Sequence, residues 1–155
     1  MLNSLDKKYP FNVDLRANLN TIVAIGLGMF LFLLFFQPFL PQNTDFNNKL
    51  LILAGFGGIT MVLLYILRIA MPAAIPAIFT SGKWTFSKEL MLGFIFLALN
   101  SVAFVFYARY VGGIKITFRI TIIIVIMSLA AAAVLININE LRYLKNQIKP
   151  LNQNN

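Results

Sequence analysis

Four long apolar runs alternate with short polar segments along the chain: Leu19–Leu40, Leu50–Met71, Leu90–Val111 and Ile120–Ile138, of 22, 22, 22 and 19 residues. A helix of about 20 apolar residues crosses a hydrocarbon layer of about 30 Å. The pattern therefore predicts an all-α membrane protein, a four-helix transmembrane bundle. Of the 18 charged residues only Arg68 and Arg109 fall inside the runs. Each lies within a turn of an end, from which a long side chain is expected to snorkel to the interface. Thr121–Ile126 is β-branched and would favour a strand in water. In lipid a lone strand leaves its backbone unpaired, so helix is the expectation there too.

The polar segments set the expected boundaries. Residues 1–18 form a basic leader with Lys7, Lys8 and Arg16. Pro38 disfavours helical geometry at Gln37, so the first helix should weaken or end there. The short turn Pro41–Lys49 suits an antiparallel helix pair. Gly55, Gly57 and Gly58 lie in the second run, and the longest connection, Pro72–Glu89, follows it. Its prolines are expected to cap or kink the outgoing helix. Phe79, Trp84 and Phe86 among Lys83 and Lys88 read as an interfacial segment, with Trp84 at headgroup depth. Ser87 is the candidate N-cap of the third helix, with Glu89 suiting its dipole. Gly112-Gly113 marks a tight turn. The resulting division is a leader at 1–18, a transmembrane domain at 19–138, and a cytoplasmic connector helix with the start of a linker at 139–155.

Composition narrows the chemistry. The 155 residues are 59% hydrophobic and 12% charged, with mean hydropathy +0.81, whereas soluble domains are near half apolar and a quarter charged. Cysteine and histidine are both absent, which removes disulfides, thiol nucleophiles, imidazole bases and the usual zinc, haem and iron–sulfur ligand sets. With no nucleophile, base and metal set at a shared depth, no catalytic residue, metal ligand or cofactor is expected, and the chain does not read as an enzyme. The acids Asp6, Asp14, Asp45, Glu89 and Glu140 all lie outside the apolar runs, which argues against proton-coupled transport. The net charge of +8 flanks the spans and reads as topology and headgroup contact rather than nucleic-acid binding. No cleavable signal peptide is expected, because the first run is too long for an h-region. With the N-terminus inside, nine Lys and Arg face the cytoplasm and four face away. The positive-inside rule then places both termini in the cytoplasm.

Several residues are candidates for ligand or helix-packing contacts. Asn100 and Ser101 are the most polar positions of the third run, suited to interhelical hydrogen bonds or to a small ligand. Gln37 and Pro38 mark a helix break. Arg109, beside Tyr107 and Tyr110, suits either an anionic ligand or an anchored helix end. The small pairs Ala24/Gly28, Ala54/Gly58 and Ser128/Ala132, each four apart, suit close helix approach inside the bundle or across a dimer. Beyond Ile138, Leu141, Leu144, Ile148 and Leu151 are spaced 3, 4 and 3, as in a coiled-coil seam that Pro150 interrupts. Glu140, Leu141, Leu144 and Ile148 are the candidate relay from membrane to cytoplasm; the alternative is a helix lying on the lipid surface.

The order Tyr9-Pro10-Phe11, Phe36-Gln37-Pro38-Phe39, and Lys83-Trp84-Thr85 with Lys88-Glu89 resembles the membrane half of bacterial LytTR-type transcriptional regulators, over about residues 9–145. The resemblance implies a multi-pass domain of the bacterial inner membrane that anchors, and receives a signal for, a cytoplasmic DNA-binding domain absent from this sequence. Contact with DNA is expected only through that domain. The partners expected of the chain itself are the lipid bilayer, a signal ligand and, because DNA-binding proteins often pair half-sites, a second copy in a homodimer. The reading from another class is a small membrane transporter or channel subunit without proton coupling.

Overall fold

The computed structural model describes Phe11 and residues 14–38, 45–79 and 84–148, with backbone alone for 146–148. Its elements are α1 (Leu15–Phe36), α2 (Phe46–Tyr65), a π-helical turn (Ile66–Ala70), α3 (Met71–Ala74), α4 (Pro76–Phe79), α5 (Phe86–Tyr110) and α6 (Phe118–Ile148). Four continuous helical stretches, α1, Phe46–Ala74, α5 and α6, are long and apolar enough to cross a membrane. The architecture is an all-α four-helix bundle.

Each helix buries one stripe. Ile22, Ile25, Met29 and Leu33 of α1 face Leu53, Phe56, Thr60 and Leu64 of α2, with Leu92, Phe96, Asn100 and Phe104 of α5 and Ile124, Met127, Ser128 and Leu135 of α6. The steps of three and four are those of one helical face. The opposite faces are equally oily: Phe35 is 77% exposed and Phe118 83%. A monomer in water does not present so much contiguous apolar surface, whereas a bilayer solvates it.

The helix ends follow from local chemistry. Asp14 caps α1 by accepting from the backbone N–H groups of Arg16 and Ala17. The helix stops at Phe36, and Gln37 takes a left-handed conformation (φ 40°, ψ 51°). Pro38 denies Gln37 the right-handed region, and left-handed C-terminal residues collect the last carbonyls. Gln37 donates to the Leu34 carbonyl and accepts from Lys49 Nζ at 3.2 Å, which ties the end of α1 to the start of α2. At the far end of α2, Pro72 has no N–H for the Arg68 carbonyl. The preceding turn widens to π geometry, and the Met71 N–H bonds Ile66. The last turn of α5 is closed by Val111, Gly112 and Ile114 N–H groups reaching Tyr107 and Ala108, with Gly113 at φ 61°.

Two local expectations are corrected. The third membrane helix starts at Phe86, with Thr85 rather than Ser87 at the N-cap position. Trp84 is 3% exposed, its ring turned into the bundle end rather than outward. Two of the three expected small pairs do not serve close approach inside the bundle: Ala24, Gly28, Ala54 and Gly58 all face outward. α1 and α2 instead meet at Gly26 and Gly57, where a Cβ on Gly57 would stand 2.8 Å from the Gly26 carbonyl oxygen. Ser128 and Ala132 are buried, at the third expected pair.

Candidate functional site

The antiparallel order brings the start of α1, the Ile66–Ala74 end of the second membrane helix, the start of α5 and the far part of α6 to one end of the bundle. There the Glu89 carboxylate is 1% exposed and collects four donors. Arg68 reaches both of its oxygens through Nη1 and Nη2. Trp84 Nε1 donates at 3.0 Å and Asn139 Nδ2 at 2.8 Å. Glu89 thus links the π turn, the segment leading into α5, α5 itself and α6.

Burial makes this arrangement consequential. A charge taken out of water costs several kcal/mol unless it is paired and fully hydrogen-bonded, and a carboxylate accepts about four bonds. The two-pronged Arg68–Glu89 geometry is the strong form of such a pair. Arg68 is 5% exposed, so the expected snorkelling is replaced by an internal partner. Glu89 does lie in the first turn of its helix, as expected, yet its role there is to bind three other segments.

An aromatic lid covers the pair. Phe11 packs edge-on against Phe79 and Trp84, with centroids 5.1 and 4.9 Å away, and Trp84 stacks on Phe79 at 4.9 Å. The Arg68 guanidinium carbon stands 5.6 Å from the Phe11 ring centre, a cation–π distance. On the adjoining side, Arg142 Nη2 of α6 donates to the Ala17 carbonyl of α1 at 3.0 Å. The carboxyl-terminal part of α6 is therefore held by α5 at Asn139 and by α1 at Arg142.

A second polar group lies deeper. Asn100 Nδ2 donates to Ser128 Oγ at 3.0 Å, and Thr60 Oγ1 donates to Asn100 Oδ1 at 3.3 Å. The three residues are fully buried and join α2, α5 and α6. Eleven residues, about 16 Å of helix rise, separate Asn100 from Glu89.

The remaining sequence candidates scatter. Ser101 is half-buried, and its hydroxyl has no partner among the described residues. Gln37 and Pro38 sit at the opposite end of the bundle from Glu89, as does the exposed Arg109. Glu140 is exposed, and Leu141 and Leu144 are 66% and 46% exposed on α6. Ile148 is the last residue of that helix, whereas Pro150 and Leu151 lie outside the described residues. Among the described residues no group of three potential ligands stands close enough to hold a metal ion.

Sequence reasoning missed the Arg68–Glu89 pair, although a signal was present. Opposite charges at the end of one span and the start of the next fall at the same depth when the two helices run antiparallel. Comparison with protein-family models, curated proteins and solved structures finds no match.

Proposed function

We propose that this bundle is a membrane anchor and signal-receiving module, seated in a bacterial inner membrane, whose fourth helix passes a change in helix packing to a cytoplasmic domain. LytTR-type regulators, which the sequence resembles, are the working example. The observation that carries the reading is the grip on α6. That helix runs unbroken for 31 residues, about 46 Å, against the roughly 30 Å of hydrocarbon. Glu89 holds it at Asn139, next to the relay residues Glu140, Leu141 and Leu144. Two of the three motifs behind the resemblance supply Phe11, Trp84 and Glu89 to that same cluster.

A packing change also needs a yielding seam. Between α1 and α6 an apolar groove of about 320 Å³ is lined by Ala24, Gly28, Phe32, Ile126, Ala130 and Val134. A ligand or lipid that occupies one packing in preference to another shifts the balance between them. The transporter reading has less support, because the mid-bundle polar groups of Thr60, Asn100 and Ser128 are spent on one another.

The test is a fusion of this chain to a DNA-binding reporter domain. One residue inserted after Glu140 turns everything downstream by about 100°; Asn139→Leu releases the grip. Either change should alter reporter output, and unchanged output from both reduces the module to a passive tether. Orientation is tested on the cysteine-free background. A cysteine at Lys49 should label from outside and one at Leu144 only from the cytoplasm, and the reverse pattern overturns the topology.

A further inference from the structure

The Glu89 cluster leaves one strong donor unspent. Arg68 turns its Nη1 and Nη2 toward Glu89, and a planar guanidinium then presents its Nε–H edge about 120° away. Nε is buried and has no hydrogen-bond partner among the described residues. A buried N–H left unpaired costs about 1–3 kcal/mol, so the site is incomplete without an acceptor.

Arg68 also lines a cavity of about 230 Å³ with Phe11, Leu15, Asn18, Ile69, Pro72 and Ala73. Its wall is divided by chemistry. The guanidinium offers a polar hydrogen, whereas Leu15, Ile69, Pro72 and Ala73 form an apolar border. Leu15 and Ala73 are exposed, so the cavity opens sideways between the start of α1 and the end of α3. One residue from Asn18, Arg142 reaches the Ala17 carbonyl, and its Nη1 is likewise buried without a partner among the described residues. Among the described residues this end carries Arg16, Arg68, Lys88, Arg142 and Lys145 against Asp14, Glu89 and Glu140, an excess of positive charge.

We infer that this cavity binds an oxyanion, a phosphate or carboxylate whose oxygen accepts from Arg68 Nε. The volume is below the 300–1,000 Å³ usual for drug-sized ligands, which selects a small head. The apolar border at the bundle end, open toward the bilayer, favours a head carried on an acyl chain, that is, the phosphate of an anionic phospholipid. The inference concerns this chain alone and does not depend on any domain downstream of it.

Trp84, the sole tryptophan, touches Phe11 in the cavity wall and reports on the site. The detergent-purified protein is titrated with dihexanoyl phosphatidylglycerol, dihexanoyl phosphatidylcholine and inorganic phosphate, each followed by Trp84 emission and by melting temperature. Saturable change with phosphatidylglycerol at about tenfold lower concentration than with phosphatidylcholine supports the lipid source, a gap of 1.4 kcal/mol. Saturable change with inorganic phosphate at least as tight supports the same site with a soluble anion. Ala73→Phe fills the opening without touching the ion pair, and Arg68→Lys keeps the charge while removing the Nε–H. Both should abolish the response, with the helical circular dichroism retained. No saturable response to any of the three, or a response that survives Ala73→Phe or Arg68→Lys, would overturn the site.

Discussion

Asn139 of α6 donates to the Glu89 carboxylate of α5 at 2.8 Å, across fifty residues of sequence. Because Arg68 and Trp84 bind the same carboxylate, the position of α6 depends on the ends of two other membrane helices at once. A displacement of α2 or α5 at this end is felt by α6 directly, through hydrogen bonds rather than through adaptable apolar contact.

The buried ion pair should behave non-additively. Arg68→Met or Glu89→Met alone strands a buried charge and should cost about 3–5 kcal/mol, whereas the double substitution should recover most of that loss. Denaturant titration in mixed micelles, arranged as a double-mutant cycle, reads the coupling. Equal, additive losses would mean that the two groups do not meet.

Gly57 and Gly58 are neighbours with opposite surroundings. A Cβ on Gly57 meets the Gly26 carbonyl oxygen, whereas one on Gly58 meets nothing within 4 Å. Gly57→Leu should therefore destabilise the bundle by about 1–3 kcal/mol, the usual cost of overpacking. Gly58→Leu should leave the melting temperature of the monomer unchanged.

The mid-bundle contacts should be modest. Asn100→Ala breaks bonds to Thr60 and Ser128 and should cost about 1–2 kcal/mol, since interhelical hydrogen bonds in membranes are weak individually. Ser101→Ala removes a hydroxyl that has no partner among the described residues and should be neutral or slightly stabilising in the same unfolding assay.

The four membrane helices were legible because bilayer thickness imposes a length and a composition on each run by itself. The stop at Gln37 was legible for a similar reason: Pro38 acts on its immediate neighbour. Boundaries were less so, since α1 begins at Leu15 and α5 at Phe86, within segments whose polar residues look like loop. What the pattern hid was tertiary. Arg68 and Glu89 each look like an interfacial charge when its run is read alone, and Trp84 looks like a headgroup anchor. Only the folded hairpin turns them toward one another. The glycines tell the same story, because spacing identifies small residues but not the face they occupy: Gly28 points outward and Gly26, two residues earlier, forms the crossing.

The position of the α6 extension is the central claim, and a distance measurement tests it most directly. Spin labels at Arg16→Cys and Leu144→Cys, both exposed positions in a chain without native cysteine, are read by double electron–electron resonance in lipid nanodiscs. The account predicts one narrow distance distribution for the otherwise wild-type chain, and a broadened or two-component distribution when Asn139→Leu is added. An identical narrow distribution in both proteins would contradict it.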